Sequence, residues 1–153
     1  MRCDIRIAAQ VFDPEAEVST FRQTASQSGA IVSFTGVVRP SGQAGAVSAL
    51  TLQHYPGMTE RGIGEIVAGA ADRWPLEAAL IIHRVGELAA HEPIVLVATA
   101  SQHRRAAFEA ADFLMDYLKS RALFWKSETG EDGKRWIEPR ADDYADAARW
   151  DER

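Results

Sequence analysis

The chain holds a single cysteine, Cys3, in 153 residues. That excludes a disulfide framework and any cysteine-based metal cluster. With Arg2 and Arg6 as its only basic neighbours, Cys3 reads as an inert strand residue rather than a nucleophile. Histidine is sparse too: His54, His83, His91 and His103 are scattered without ligand spacing, so no metal site is expected. No apolar run approaches the roughly 20 residues that span a bilayer. Residues 1–10 alternate in polarity instead of presenting the apolar core of a secretion signal, and the expectation is a cytoplasmic protein. The dinucleotide fingerprint, the phosphate-binding loop, the nucleophile elbow and the zinc-protease helix signature are all missing.

Basic residues are also in deficit, 17 against 22 acids, for a net charge of −5. Nonspecific nucleic-acid binding needs a broad basic face, so nucleic acid is not an expected partner. An anion site in this chain must be a local pocket within an acidic surface. Length and a hydrophobic content of 46% fit one domain, residues 1–153, able to bury its own core.

Polarity patterning predicts the elements. Cys3, Ile5 and Ile7 alternate as a half-exposed strand. Residues 15–27 follow as a helix started by Asp13-Pro14 and stopped by Gly29. Residues 30–38 form an apolar, β-branched run that predicts a buried strand, opening into the Gly-rich loop 39–45. A strand over 46–54, a helix over 57–74, and strands over 79–85 and 93–100 around a polar turn come next. A long helix over about 102–121 leads to a hairpin, 123–127 with 134–138, turning at Glu131-Asp132-Gly133. Residues 142–150 close as a short helix. This order predicts an α+β fold: a sandwich of mixed or antiparallel sheet with helices packed on one side, plus an extra C-terminal hairpin.

Residues 101–128 carry the most information. Five bases (Arg104, Arg105, Lys119, Arg121, Lys126) face four acids (Glu109, Asp112, Asp116, Glu128), so this segment is net positive in a negative chain. His103, Arg104 and Arg105 fall in the first turn, against the helix dipole, an arrangement that makes sense if an anion sits among them. Arg105 can instead pair with Glu109 at i,i+4. Phe108, Ala111, Met115, Leu118 and Ala122 form one apolar stripe and are expected in the core, with Glu109, Asp112 and Asp116 on a solvated flank. Lys119 suits the dipole of the last turn and can pair with Asp116. Lys126 follows Leu-Phe-Trp, so its ammonium is expected near a partly buried position with a lowered pKa, and a second nearby lysine would lower it further. Arg39 sits where a strand opens into a loop, as a ligand-binding or a loop-anchoring residue.

Sixteen residues separate His103 from Lys119, roughly 24 Å on a straight helix and about 160° around it. One small ligand cannot be gripped by both. Either they serve two sites, or one site joins the end of one subunit's helix to the start of another's.

Three blocks, Phe34-Thr35-Gly36-Val37-Val38-Arg39, the run from Leu50 to Glu60, and His83-Arg84-Val85-Gly86-Glu87-Leu88, resemble the molybdopterin synthase catalytic subunit family. So do Ser101, His103-Arg104, Ala107-Phe108-Glu109-Ala110, Met115-Asp116-Tyr117-Leu118-Lys119 and Phe124-Trp125-Lys126. The match keeps its order and spacing over about residues 30–140. The resemblance implies an α/β-hammerhead type of fold and a sulfurtransferase that converts cyclic pyranopterin monophosphate (precursor Z) into molybdopterin in molybdenum cofactor biosynthesis. It implies that two sulfurs arrive as a C-terminal thiocarboxylate on a small ubiquitin-like subunit ending in Gly-Gly, with no cofactor. It further implies a homodimer of large subunits within a heterotetramer, no nucleic acid and no membrane. Lys119 and Lys126 resemble the catalytic lysines. Val37, Val38, Arg39, His103, Arg104, Ser127, Glu128 and Arg140 are the substrate-binding candidates, with His103 and Arg104 given by the neighbouring subunit. A noncatalytic module binding a phosphorylated metabolite or a ubiquitin-like partner is the alternative.

Overall fold

A computed structural model describes every residue except 43, 44, 48, 122 and 153. Gln43 and Ala44 of the Gly-rich loop, Ser48 of the following strand and Ala122 of the helical stripe therefore lie outside the described residues.

Two four-stranded sheets organise the chain. The first runs β1 (Arg2–Ala8), β6 (Leu76–Arg84), β8 (Pro93–Ser101), β2 (Ala30–Val37) from edge to edge, with β1 parallel to β6 and the other pairs antiparallel. The second is antiparallel, in the order β10 (Gly133–Ile137), β9 (Phe124–Gly130), β5 (Ala49–His54), β7 (Gly86–Leu88). A two-residue ladder, β3 (Ser41–Gly42) with β4 (Gly45–Ala46), lies in the Gly-rich loop. The α+β class and the C-terminal hairpin are those expected from the sequence. Helices, however, cover both faces of the first sheet rather than one. Ala78, Leu80 and Ile82 of β6 pack with Phe21 and Ala25 toward α1 (Pro14–Thr24), whereas Ala79 and Ile81 face α2 (Met58–Arg73) and α3 (Arg104–Ser120). Strands β6 and β8 are apolar on both sides, so each face needs a cover.

Local signals explain the ends. Asp13 caps α1 by accepting from the Glu15 and Ala16 N–H groups at 3.1 and 3.2 Å. Gly62 lets α2 lie close to Leu123: a Cβ there would come within 2.5 Å of Leu123 Cδ2.

Further expectations need correction. The run 30–38 is not a buried strand: among the described residues β2 is an edge strand paired with β8, and it leaves Phe34 and Val37 exposed. Composition alone cannot distinguish an apolar edge from an apolar centre. The turn over 86–92 contains β7, held against β5 by the fully buried Leu88, which packs with Val38, Leu50 and Leu52. On α3 the buried face is Ala106, Ala107, Ala110, Ala111, Phe113, Leu114 and Leu118, so Phe108 lies outside the core at 61% exposure while Met115 is half-buried. The alanines let the helix lie close to the sheet, and they occupy the face that a stripe built on the largest residues would give to Phe108.

On the acidic flank of α3 Asp112 is exposed as expected, but Glu109 and Asp116 are half-buried and take partners. Trp74 Nε1 donates to Glu109 at 2.8 Å, and Trp150 Nε1 and Arg149 donate to Asp116 at 2.7 and 2.8 Å. These bonds, with edge-to-face packing of Trp150 on Trp74 and Phe113, pin the C-terminal segment to α3. That segment comprises α4 (Ala141–Ala148) and a 3-10 turn, Arg149–Glu152.

Candidate active site

A cavity of about 560 Å³ opens where the first sheet, the end of α3 and the second sheet meet. The end of β2 supplies Val37, Val38 and Arg39; the last turn of α3 supplies Leu118, Lys119 and Ser120; β9 supplies Phe124, Trp125, Lys126 and Glu128. The segment after β10 and the start of α4 close the wall with Glu138, Pro139, Arg140, Asp143 and Tyr144.

Five bases (Arg39, Lys119, Arg121, Lys126, Arg140) and three acids (Glu128, Glu138, Asp143) line this space. An acidic chain has therefore gathered a basic concavity, the local pocket that an anionic substrate requires.

The two lysines meet because α3 ends where β9 begins. Lys119 stands in the last helical turn, and Lys126 on β9 between Leu52 of β5 and Ile137 of β10. Burial, then the charge of Lys119 and a side-chain hydrogen bond with it, lower the Lys126 pKa from 10.5 to about 8. The pairing of Lys119 with Asp116 suggested by their spacing is not what holds this end of the helix, because Asp116 serves Arg149 and Trp150.

Asp143 would be pushed up by burial, but hydrogen bonds from Arg140 and the charges of Arg140 and Lys119 keep it below the usual carboxylate range. Arg140 is thereby anchored: its guanidinium lies 3.2 Å from Asp143 and its backbone N–H donates to the same carboxylate at 2.9 Å.

Of the residues singled out in the sequence, Val37, Val38, Arg39, Lys119, Lys126, Glu128 and Arg140 line this one cavity. Ser127 does not. Its side chain is buried away from Lys126, as strand alternation requires, and its hydroxyl has no hydrogen-bond partner among the described residues. His103 and Arg104 do not line it either; both are exposed at the opposite end of α3, where Arg105 and Glu109 form the expected i,i+4 pair at 3.6 Å.

His83 was not singled out by sequence reasoning and lies directly behind the site. Its ring stacks on Phe124 with centroids 3.8 Å apart, and Nδ1 lies 2.8 Å from the Arg84 carbonyl oxygen. Burial, above all, takes its pKa from 6.5 to about 3; the carbonyl contact opposes this and the charges of Lys126 and Lys119 add to it. His83 is therefore a neutral wall beneath the lysine pair. Its signal in the sequence was its place at the head of the His83–Leu88 block that carries the family resemblance, which gave it no role in the site. Among the described residues no cluster of three or more His, Cys, Asp or Glu could hold a metal ion.

Comparison with known proteins gives this geometry a lineage. The family model described as "MoaE protein" matches residues 7–121. The molybdopterin synthase catalytic subunit of Mesorhizobium japonicum is 52% identical over 148 residues, covering 95% of this chain and 92% of that one. The molybdopterin biosynthesis MoaE protein of Burkholderia ambifaria superposes with a TM-score of 0.82 at 46% identity, over 99% of both chains. A Helicobacter pylori complex of subunits 1 and 2 of molybdopterin-converting factor shares the fold, with a TM-score of 0.75, 17% identity and coverage of 89% and 91%. The chain belongs to the MoaE family of molybdopterin synthase catalytic subunits.

Proposed function

We propose that this chain performs the sulfur-inserting step of molybdopterin synthesis, with Lys119 and Lys126 as the groups that touch the reacting atoms. The carrying observation is the lysine pair itself, one of them with a pKa near 8, on the wall of a cavity with surplus positive charge. An amine of that pKa can exchange protons near neutrality. The thiocarboxylate sulfur of the small subunit adds to a carbon of precursor Z, whose oxygen takes a proton from Lys126, and the Lys119 charge stabilises the covalent thioester so formed. Water then cleaves the acyl–sulfur bond, which frees the small subunit as its carboxylate and leaves the sulfur on the pterin. Arg39 and Arg140 orient the anionic substrate, and the entering tail of the partner occupies the open side between β2 and α4. A cytoplasmic location is proposed with it, and no helix among the described residues is long and apolar enough to cross a membrane.

The exposed His103 and Arg104 complete the site of a second copy. Their separation from Lys119, roughly 24 Å along α3, bars them from the same chain's cavity. This is the homodimer with shared sites, within a heterotetramer. Mixing Lys119→Ala chains with Arg104→Ala chains tests it. A mixed dimer keeps one intact site, so a statistical mixture of two inactive variants should recover about a quarter of wild-type activity. No recovery in mixtures shown to exchange subunits would confine the site to one chain. Binding of precursor Z and partner by the wild-type protein without a dithiolene product would leave the noncatalytic reading in its place.

A further inference from the structure

Arg84 is buried, with 4% of its surface exposed, at the end of β6, and it does not line the cavity. A buried guanidinium needs a reason. Its Nη1 donates to the Glu92 carboxylate at 2.7 Å and Nη2 reaches the Ala9 carbonyl oxygen at 3.5 Å, while Nε has no partner among the described residues. Its strongest bond is thus to a short turn between β7 and β8. That turn is closed by the Glu92 N–H donating to the Ala89 carbonyl at 3.2 Å, and it holds His91 at a φ of +71°. Left-handed backbone at a non-glycine residue is strained and persists only where its surroundings over-determine it.

The same turn continues the ladder of β2. Register shifts between Gly36 and Val37, and beyond that bulge Val38 makes two backbone bonds to the turn. The Val38 N–H donates to the Glu92 carbonyl at 2.9 Å, and the His91 N–H donates to the Val38 carbonyl at 2.8 Å. Val38 is buried and Arg39, the next residue, is exposed on the cavity wall. A bulge re-aims the chain that follows it, and here the new direction is fixed by the turn.

We propose that Arg84 is a positioning residue: by holding the Glu92 carboxylate it fixes the turn that, through Val38, sets where Arg39 enters the cavity. Its effect on sulfur transfer passes entirely through Arg39, so the inference rests on the proposed substrate-orienting role of that arginine. Replacing Glu92 alone leaves a buried charge, which risks the fold. The double substitution Arg84→Met with Glu92→Met removes both charges and keeps the volume, and it serves as the second variant beside Glu92→Gln.

The test is a cycle of steady-state kinetics with precursor Z and the thiocarboxylated small subunit, run on variants whose melting confirms the folded state at the assay temperature. In the wild-type background either clamp variant should raise KM for precursor Z about tenfold with a smaller change in kcat. In an Arg39→Ala background the same variant should change KM by less than about twofold. Equal effects in both backgrounds, or no effect on KM in the wild-type background, would overturn the positioning role. If Arg39→Ala alone leaves KM and kcat at wild-type values, the orienting role of Arg39 fails first, and the clamp proposal falls with it.

Discussion

Lys119, in the last turn of α3, and Lys126, the third residue of β9, line the same cavity. Two ammonium groups so placed repel each other, and burial adds to the cost of charge on Lys126, whose pKa falls to about 8. An NMR titration of the labelled lysine side chains should therefore find one of them near 8. In Lys119→Ala that value should rise toward 10.5, though not all the way, because burial remains. A Lys126 that titrates at 10.5 in the wild-type protein would refute the pair.

The same depression makes Lys126 a cost to folding at neutral pH. Between about pH 8 and 10.5 the unfolded chain holds a proton on this group that the folded chain lacks. Stability therefore rises with pH across that window, and the cost is fully present below it. Lys126→Met should raise the thermal midpoint at pH 7 by about 2–4 °C while abolishing activity, with the gain shrinking above pH 10. Calorimetry at the two pH values checks this.

His83 gives the opposite end of the pH scale its own signature. Its folded pKa of about 3 lies below the unfolded value of 6.5, so the unfolded chain binds a proton first as pH falls. Stability is full above 6.5 and is lost progressively down to about 3, by an amount on the order of a few kcal/mol. His83→Gln should cost stability at pH 7, where the stack on Phe124 is lost, yet lose less on acidification from pH 6.5 to 4. Parallel urea-denaturation curves for the two proteins across that range would remove His83 as the acid-sensitive group.

Gly29 lies against the chain just before α3, where an added Cβ would collide with the Gln102 carbonyl oxygen. Backbone cannot step aside as a flexible side chain can, so Gly29→Ala should destabilise by about 1–3 kcal/mol in urea denaturation. The strain falls one residue ahead of His103, so the proposed shared site should weaken as well. An unchanged midpoint would show that the contact is relieved at no cost.

Much of this was legible in residue order. The elements follow polarity periods, and Lys126 was expected to be partly buried because it follows Leu123, Phe124 and Trp125. The proximity of Lys119 to Lys126 came with the family resemblance; spacing alone offered Lys119 a surface role. Other features depend on tertiary neighbours that a linear pattern does not hold. Phe34 is apolar but belongs to an edge strand, and Phe108 falls on an apolar stripe but faces outward beside a helix face of alanines. Asp116 had a plausible helical partner in Lys119, yet Arg149 and Trp150, more than thirty residues away, take its carboxylate. Likewise the contacts of His83 with Phe124 and of Arg84 with Glu92 join residues that no local pattern pairs.

The central claim is that Lys119 and Lys126 together drive sulfur insertion in this cavity. It is tested most directly by single-turnover formation of molybdopterin from precursor Z and thiocarboxylated small subunit, using Lys119→Ala beside the wild-type protein. The expected result is loss of activity by about a hundredfold or more, with partner binding unchanged. Wild-type rates from Lys119→Ala would contradict the account.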